Sequence, residues 1–156
     1  MINNGFKLRM AGAADADIII RHRRCMFREM GFRDEATLDA MEATSSLVIK
    51  AGLKDGSYQG WLVENAAGVV AGGGVAIAGF LSNPRDPMPC RAWIVNMYTE
   101  PEHRGRGLAR AILEAMLIWC REQGFAGVSL HASDTGRCLY ENLGFMPTSE
   151  MHLPLK

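Results

Sequence analysis

The sequence predicts a single α/β domain, and three observations carry that prediction. Stretches of alternating or continuous apolar residues are interleaved with stretches in which apolar residues recur every three to four positions. Hydrophobic residues make up 48% of the chain and charged residues 22%, enough apolar volume to offset chain entropy without metal or disulfide. The length, 156 residues, matches the roughly 100 to 150 residues of the commonest single core.

Taken in order, Phe6, Leu8 and Met10 alternate with Lys7 and Arg9 as in a half-buried strand, and Gly12 with Asp15 marks a helix start. Apolar Ile18, Ile19, Cys25, Met26 and Met30 then keep a helical rhythm that Gly31 stops, and a second helix follows over 34–51. The β-rich segments 58–64 and 69–80, joined by Asn65-Ala66-Ala67-Gly68, predict a hairpin. Gly72-Gly73-Gly74 inside the second strand marks a bulge or a close backbone approach.

Three prolines make 82–89 a surface loop, and the nearly continuous apolar run 92–99 reads as a buried central strand. Leu108, Ile112, Ala115, Met116 and Trp119 fall at helical spacing, up to Gly124. A short strand over 128–131, a short helix over 135–143 and a sixth strand over 145–153 complete the prediction.

Lysine plus arginine and aspartate plus glutamate both total 17, so no net field draws the molecule onto nucleic acid or an anionic membrane. The apolar run 66–81 is broken by glycines and falls short of the ~20 residues of a membrane span. Cys25, Cys90, Cys120 and Cys138 form no C-x-x-C pair, which argues for free thiols in a reducing cytoplasm and against a metal site. The start of the chain lacks the apolar run of a signal peptide, so the mature chain is expected to begin near Met1.

The chemistry is concentrated in Glu102-His103-Arg104-Gly105-Arg106-Gly107-Leu108-Ala109, a glycine-rich turn between a buried strand and an amphipathic helix. The first helical N–H groups have no intrahelical acceptors, the helix dipole adds positive charge, and glycine admits an anion close to the backbone. Arg104 and Arg106 add charge there. The Walker pattern G-x-x-x-x-G-K-[ST] is absent, and G-x-G-x-x-G fails because position 110 is Arg. A pyrophosphate carrier of another kind is indicated.

Arg104-x-x-Gly107-x-Ala109 resembles the Q/R-x-x-G-x-G/A signature of the GCN5-related N-acetyltransferase (GNAT) superfamily. Leu139-Tyr140-Glu141-Asn142-Leu143-Gly144-Phe145 is similar to its second signature, Leu-Tyr-x-x-x-Gly-Phe. The resemblance implies a central, mixed, mostly antiparallel sheet splayed between strands four and five and flanked by helices on both faces. It implies acetyl-CoA as cosubstrate, with Met97, Tyr98 and Thr99 meeting pantetheine and Arg104, Gly105, Arg106, Gly107, Leu108 and Ala109 meeting the pyrophosphate. Ser133 stands where the family often has Asn and can still hydrogen-bond the coenzyme. Gly136 stands where Ala is frequent.

Within that resemblance Tyr140 is the expected acid, since it matches the family tyrosine near the coenzyme sulfur and a phenol can protonate or hydrogen-bond a thiolate. A backbone N–H near Met97 or Tyr98 is expected to polarise the thioester. Glu100 is a candidate base because alternation puts it on one face with Asn96 and Tyr98. The alternative for Glu100 is a solvated loop acid, and Glu29 is a second candidate base. His103 and His131 are read as turn and strand-end residues. Met26, Met30 and Met41 offer a deformable acceptor wall or core filler.

The implied activity is direct transfer of acetyl from acetyl-CoA to a primary amine, small-molecule or peptide, without metal, and a homodimer is plausible by the same resemblance. The alternatives are a non-catalytic acyl-CoA-binding or sensing module and a purely structural interaction domain.

Overall fold

The computed structural model describes residues 5–155, and the expected start of the mature chain at Met1 lies outside them. The elements are β1 (Lys7–Met10), a 3-10 turn (Ala13–Asp15), α1 (Ala16–Glu29), α2 (Glu35–Asp55), β2 (Tyr58–Asn65), β3 (Gly68–Gly79) and β4 (Cys90–Thr99). A second 3-10 turn (Pro101–His103), α3 (Leu108–Glu122), β5 (Val128–Ser129) and α4 (Arg137–Glu141) follow. One sheet has the order β1-β2-β3-β4-β5, antiparallel through β4 and parallel between β4 and β5.

Local chemistry sets the element ends. The Arg9 guanidinium donates to both oxygens of Asp15 at 2.8 Å, and the Gly12 N–H also donates to Asp15, which opens the first turn. The same contacts hold the Asp15 carboxyl below its usual range, with the Arg9 hydrogen bonds as the main cause. The Asp34 side chain caps α2 by accepting from the Thr37 N–H at 2.8 Å, and Gly56 ends the helix in the left-handed region at φ 84°.

Strand alternation divides the apolar residues between two cores. On one face α3 packs Leu108, Ile112, Leu113, Met116 and Cys120 against Trp61, Val63, Val75 and Ile94. On the other, Ala16, Ile19 and Ile20 of α1 and Ile49 of α2 cover Tyr58 and Leu62. Each fully buried Leu or Ile contributes about 1.5–3 kcal/mol, so the helices clamp the sheet from both sides.

The glycine triplet serves close approach, and the bulge belongs to the neighbouring strand. Gly72 pairs with Tyr98 and Gly74 with Val95, so Gly73 of β3 opposes both Asn96 and Met97 of β4. A Cβ at Gly73 would lie 2.4 Å from the Met97 sulfur, and one at Gly74 would lie 2.2 Å from the Tyr58 hydroxyl. Asn96 takes the strain of the bulge with φ 60°, the left-handed region that asparagine tolerates better than most residues.

The C-terminal prediction needs correction. No sixth strand forms among the described residues: 145–153 is irregular, β5 is shortened to Val128–Ser129, and the last helix shrinks to Arg137–Glu141. Met151 and Leu153 alternate as strand residues do, yet both are exposed. Pro147 and Pro154 lack the N–H a ladder requires, and a two-residue β5 offers too little edge to pair with.

Candidate active site

The sheet opens at its β5 side. β4 and β5 pair only at Ala92 with Val128 and Trp93 with Ser129, whereas β4 continues to Thr99. Among the described residues no strand pairs with that edge of 94–99, so the backbone around Met97 and Tyr98 has no ladder partner there and can receive an extended amide-bearing arm, while the Thr99 carbonyl is taken by Arg104.

The notch leads to the glycine-rich turn. Gly105 and Gly107 sit at φ 72° and 77°, and nothing lies within 4 Å of where a Cβ would be at either. Gly107 caps α3 without any side-chain hydrogen bond, and no acidic residue stands in the first turn. The leading N–H groups of α3 therefore lack intrahelical acceptors and stand at the positive end of the dipole, a geometry that can receive an anion on backbone alone. The two arginine side chains are engaged elsewhere. Arg104 turns back to donate to the Thr99 carbonyl at 2.9 Å and to Glu29 at 2.6 Å, while Arg106 lies over the Phe6 ring.

Tyr140, on α4, is half-buried against Phe145, with ring centroids 5.8 Å apart, and burial raises its phenol above the ordinary value. It borders a recess of about 350 Å³ between β5 and residues 145–150. The Ser133 hydroxyl accepts from the Gly136 N–H at 3.3 Å, and a Cβ at Gly136 would come within 3.1 Å of the Tyr140 ring, so a small residue there gives the tyrosine room.

Across β4, against α1, lies a network of polar side chains. Asn96 donates to the Tyr58 hydroxyl at 3.0 Å and accepts from Arg23 at 2.6 Å, which pins the bulge from both sides. Two residues on, the Tyr98 hydroxyl lies 3.3 Å from Glu29 and 3.4 Å from Glu100 and can donate to only one of them at a time. Burial, and then the two carboxylates, push this phenol well above the ordinary value. Glu100 is 20% exposed, receives Arg21, and lies 3.4 Å from His22 Nε2.

His22 is the feature that sequence reasoning missed. It is 1% exposed, and burial pushes its pKa down to about 4 despite the opposing charge of Glu100, so it is neutral at physiological pH. Its Nδ1 is buried without a hydrogen-bond partner. The available signal was helical register: His22 falls three after Ile19 and four before Met26, on the face that packs inward.

Residues 56–147 match the family described as the acetyltransferase (GNAT) domain, well over half of the chain. The chain belongs to the GNAT family of acetyltransferases. A solved GCN5-related N-acetyltransferase from Ralstonia eutropha JMP134 is 36% identical, covers 97% of this GNAT chain and 99% of its own, and superposes with a TM-score of 0.89. A protein from Clostridium acetobutylicum, described as a predicted acetyltransferase with acetyl-CoA, shares the fold at a TM-score of 0.87 with 24% identity, over 96% of both chains. Human N-acetyltransferase 8B is 33% identical over 63 residues, 38% of this GNAT chain and 28% of the human protein, so the match spans little more than a quarter of that curated relative.

In this GNAT domain the positions expected to act separate into two groups. The backbone of Met97, Tyr98 and Thr99 runs along β4 toward the turn Arg104–Ala109, while the side chains of Glu100, Glu29, Tyr98 and the unanticipated His22 gather on the α1 side. His103 packs edge-on against Phe6 at 5.7 Å, and its buried Nδ1 also lacks a partner. His131 lies beyond the end of β5, over Trp93, with its side chain 81% exposed. Among the described residues no group of three or more His, Cys, Asp or Glu side chains could hold a metal, all four cysteines are free, and no helix is long and apolar enough to cross a membrane.

Proposed function

We propose that the chain transfers an acetyl group from acetyl-CoA to a primary amine by direct attack on the thioester. One observation carries the reading: the unpaired edge of β4 beyond Trp93 leads straight to a turn of outward N–H groups with two left-handed glycines and no side-chain cap. A long amide-bearing arm ending in a pyrophosphate fits those features, the arm on strand backbone and the anion on the helix N-terminus. The bound coenzyme supplies an activated acyl thioester.

The chain's own residues then divide the work. Backbone groups of Met97, Tyr98 and Thr99 orient pantetheine, and an N–H at Met97 or Tyr98 polarises the acyl carbonyl. The backbone of Arg104–Ala109 takes the pyrophosphate, and Ser133 offers a further hydroxyl to the coenzyme. Tyr140, kept protonated by burial, holds a proton for the departing sulfur. Glu100 accepts the amine proton, directly or through water, from its place beside Tyr98 and His22. The chemistry runs without metal, in a cytoplasmic protein that can pair as a homodimer.

Coenzyme A release measured over a panel of amines tests the proposal. Release that depends on one class of amine is expected. A folded protein that binds acetyl-CoA yet releases nothing with any amine would instead be the non-catalytic binding module.

A further inference from the structure

We infer that the acceptor amine carries an oxyanion, a carboxylate or a phosphate, and that Arg23 receives it. The inference rests on the acetyl-transfer reading and adds the chemical class of the acceptor.

The arginines of α1 are matched to carboxylates with one exception. Arg21 meets Glu100, Arg24 meets Glu35, Asp39 and Glu42, and Arg28 meets Glu35. Among the described residues Arg23 has no carboxylate within ion-pair distance. Its partners are neutral: the Ser45 hydroxyl accepts from Nε at 3.0 Å, the Asn96 carbonyl accepts from Nη1 at 2.6 Å, and the Phe27 ring lies 4.9 Å away.

A guanidinium on an open surface needs no counter-ion, but this one is half-buried between two helices and a strand, and burial holds it below its ordinary pKa. Charges that leave water are normally paired. Pinning the β4 bulge does not explain the charge, because a neutral amide could donate to Asn96 equally well. Guanidinium has five N–H donors, and two are used. Among the described residues Nη2 makes no hydrogen bond, and the side chain is only partly buried, so Nη2 can pair with an incoming oxyanion.

The location suits an acceptor. Asn96 immediately precedes Met97 and Tyr98, whose backbone is assigned to the thioester, and it lies on the same face of β4 as Glu100. Glu100 and Glu29 are already paired with Arg21 and Arg104, so neither neutralises Arg23. An amine directed to Glu100 with its own anion on Arg23 supplies the missing charge. Small amino acids and phosphorylated amines have both groups.

Isothermal titration into the protein saturated with coenzyme A, using each of the common α-amino acids beside its C-terminal amide and phosphoethanolamine beside ethanolamine, tests the inference. At least one anion-bearing amine should bind about 10-fold or more tightly than its uncharged partner. The pair that discriminates says whether carboxylate or phosphate is read. Arg23→Gln should erase the preference and leave the uncharged partner's affinity unchanged, while Arg23→Lys should keep part of it. Equal binding of every acid and its neutral partner overturns the inference. So does an equal loss for both in Arg23→Gln, which would make Arg23 a support for the bulge. Anion preference without coenzyme A release would defeat the transfer reading and leave the Arg23 assignment standing.

Discussion

The two ends of the proposed site are built from different materials. Along β4 and the turn before α3 the groups on offer are backbone N–H and C=O, exposed by a short β5 and two left-handed glycines. Against α1 they are side chains tied to one another: Arg23 to Asn96, Asn96 to Tyr58, Arg21 and His22 to Glu100, and Tyr98 between two glutamates. Backbone recognition depends on local conformation, which a few residues in sequence can dictate. Side-chain networks depend on which elements meet.

The largest expected effect breaks the packing that both ends share. Gly74→Val places a branched side chain where even a Cβ would lie 2.2 Å from the Tyr58 hydroxyl, and Tyr58 is held by Asn96 and enclosed in the core. Overpacking of this kind should cost about 3 kcal/mol or more. Chemical denaturation should show a destabilised or unfolded protein, and a midpoint equal to that of the wild type would mean that β3 and Tyr58 are farther apart than described.

Next comes Tyr140→Phe, which preserves the ring against Phe145 and removes the phenol. Acetyl-CoA affinity should hold while transfer slows by about 10- to 1,000-fold if a positioned acid is lost. Unchanged turnover with chemistry limiting would take Tyr140 out of the mechanism.

Gly107→Val acts on the backbone end alone. The residue sits at φ 77° with open space around it, so the substitution costs about 1–2 kcal/mol of backbone strain without a clash and puts a side chain where an anion must approach. Acetyl-CoA affinity should fall by about 10- to 100-fold by calorimetry. A folded variant with full affinity would move the pyrophosphate off this turn.

The smallest effect sharpens the contrast through pH. His22 has a folded pKa of about 4, below the ~6.5 of an unfolded histidine, so its contribution to stability is complete above ~6.5 and is lost as pH falls toward 4. In that window the unfolded chain binds the extra proton, which weakens the fold by at most about 1.4 kcal/mol per pH unit. His22→Gln should flatten this part of the stability profile while leaving acetyl-CoA affinity at neutral pH alone. A profile of unchanged slope would show that His22 takes up its proton within the folded protein.

How much was legible follows the same division. Helix α3, its glycine stop and the turn before it were readable because amphipathic spacing, left-handed glycines and unpaired helical N–H groups are local consequences of sequence. The β2–β3 hairpin was readable for the same reason. The tail over 145–153 is predicted as a strand, but a strand exists only with a partner, and β5 is too short to provide one.

By itself, then, the sequence determined the α/β class, the order of its elements as far as α4, and the glycine turn that opens α3, all properties of periodicity and local backbone geometry. Tertiary structure decided the rest. Gly73 faces two residues of β4 and forces the bulge onto Asn96, and α1 crosses β4 where Arg23 can reach that asparagine. The same crossing buries His22 beside Glu100. The contacts made by α1 join residues about 70 or more positions apart, and nothing in local propensity specifies which side chains meet when two amphipathic elements pack.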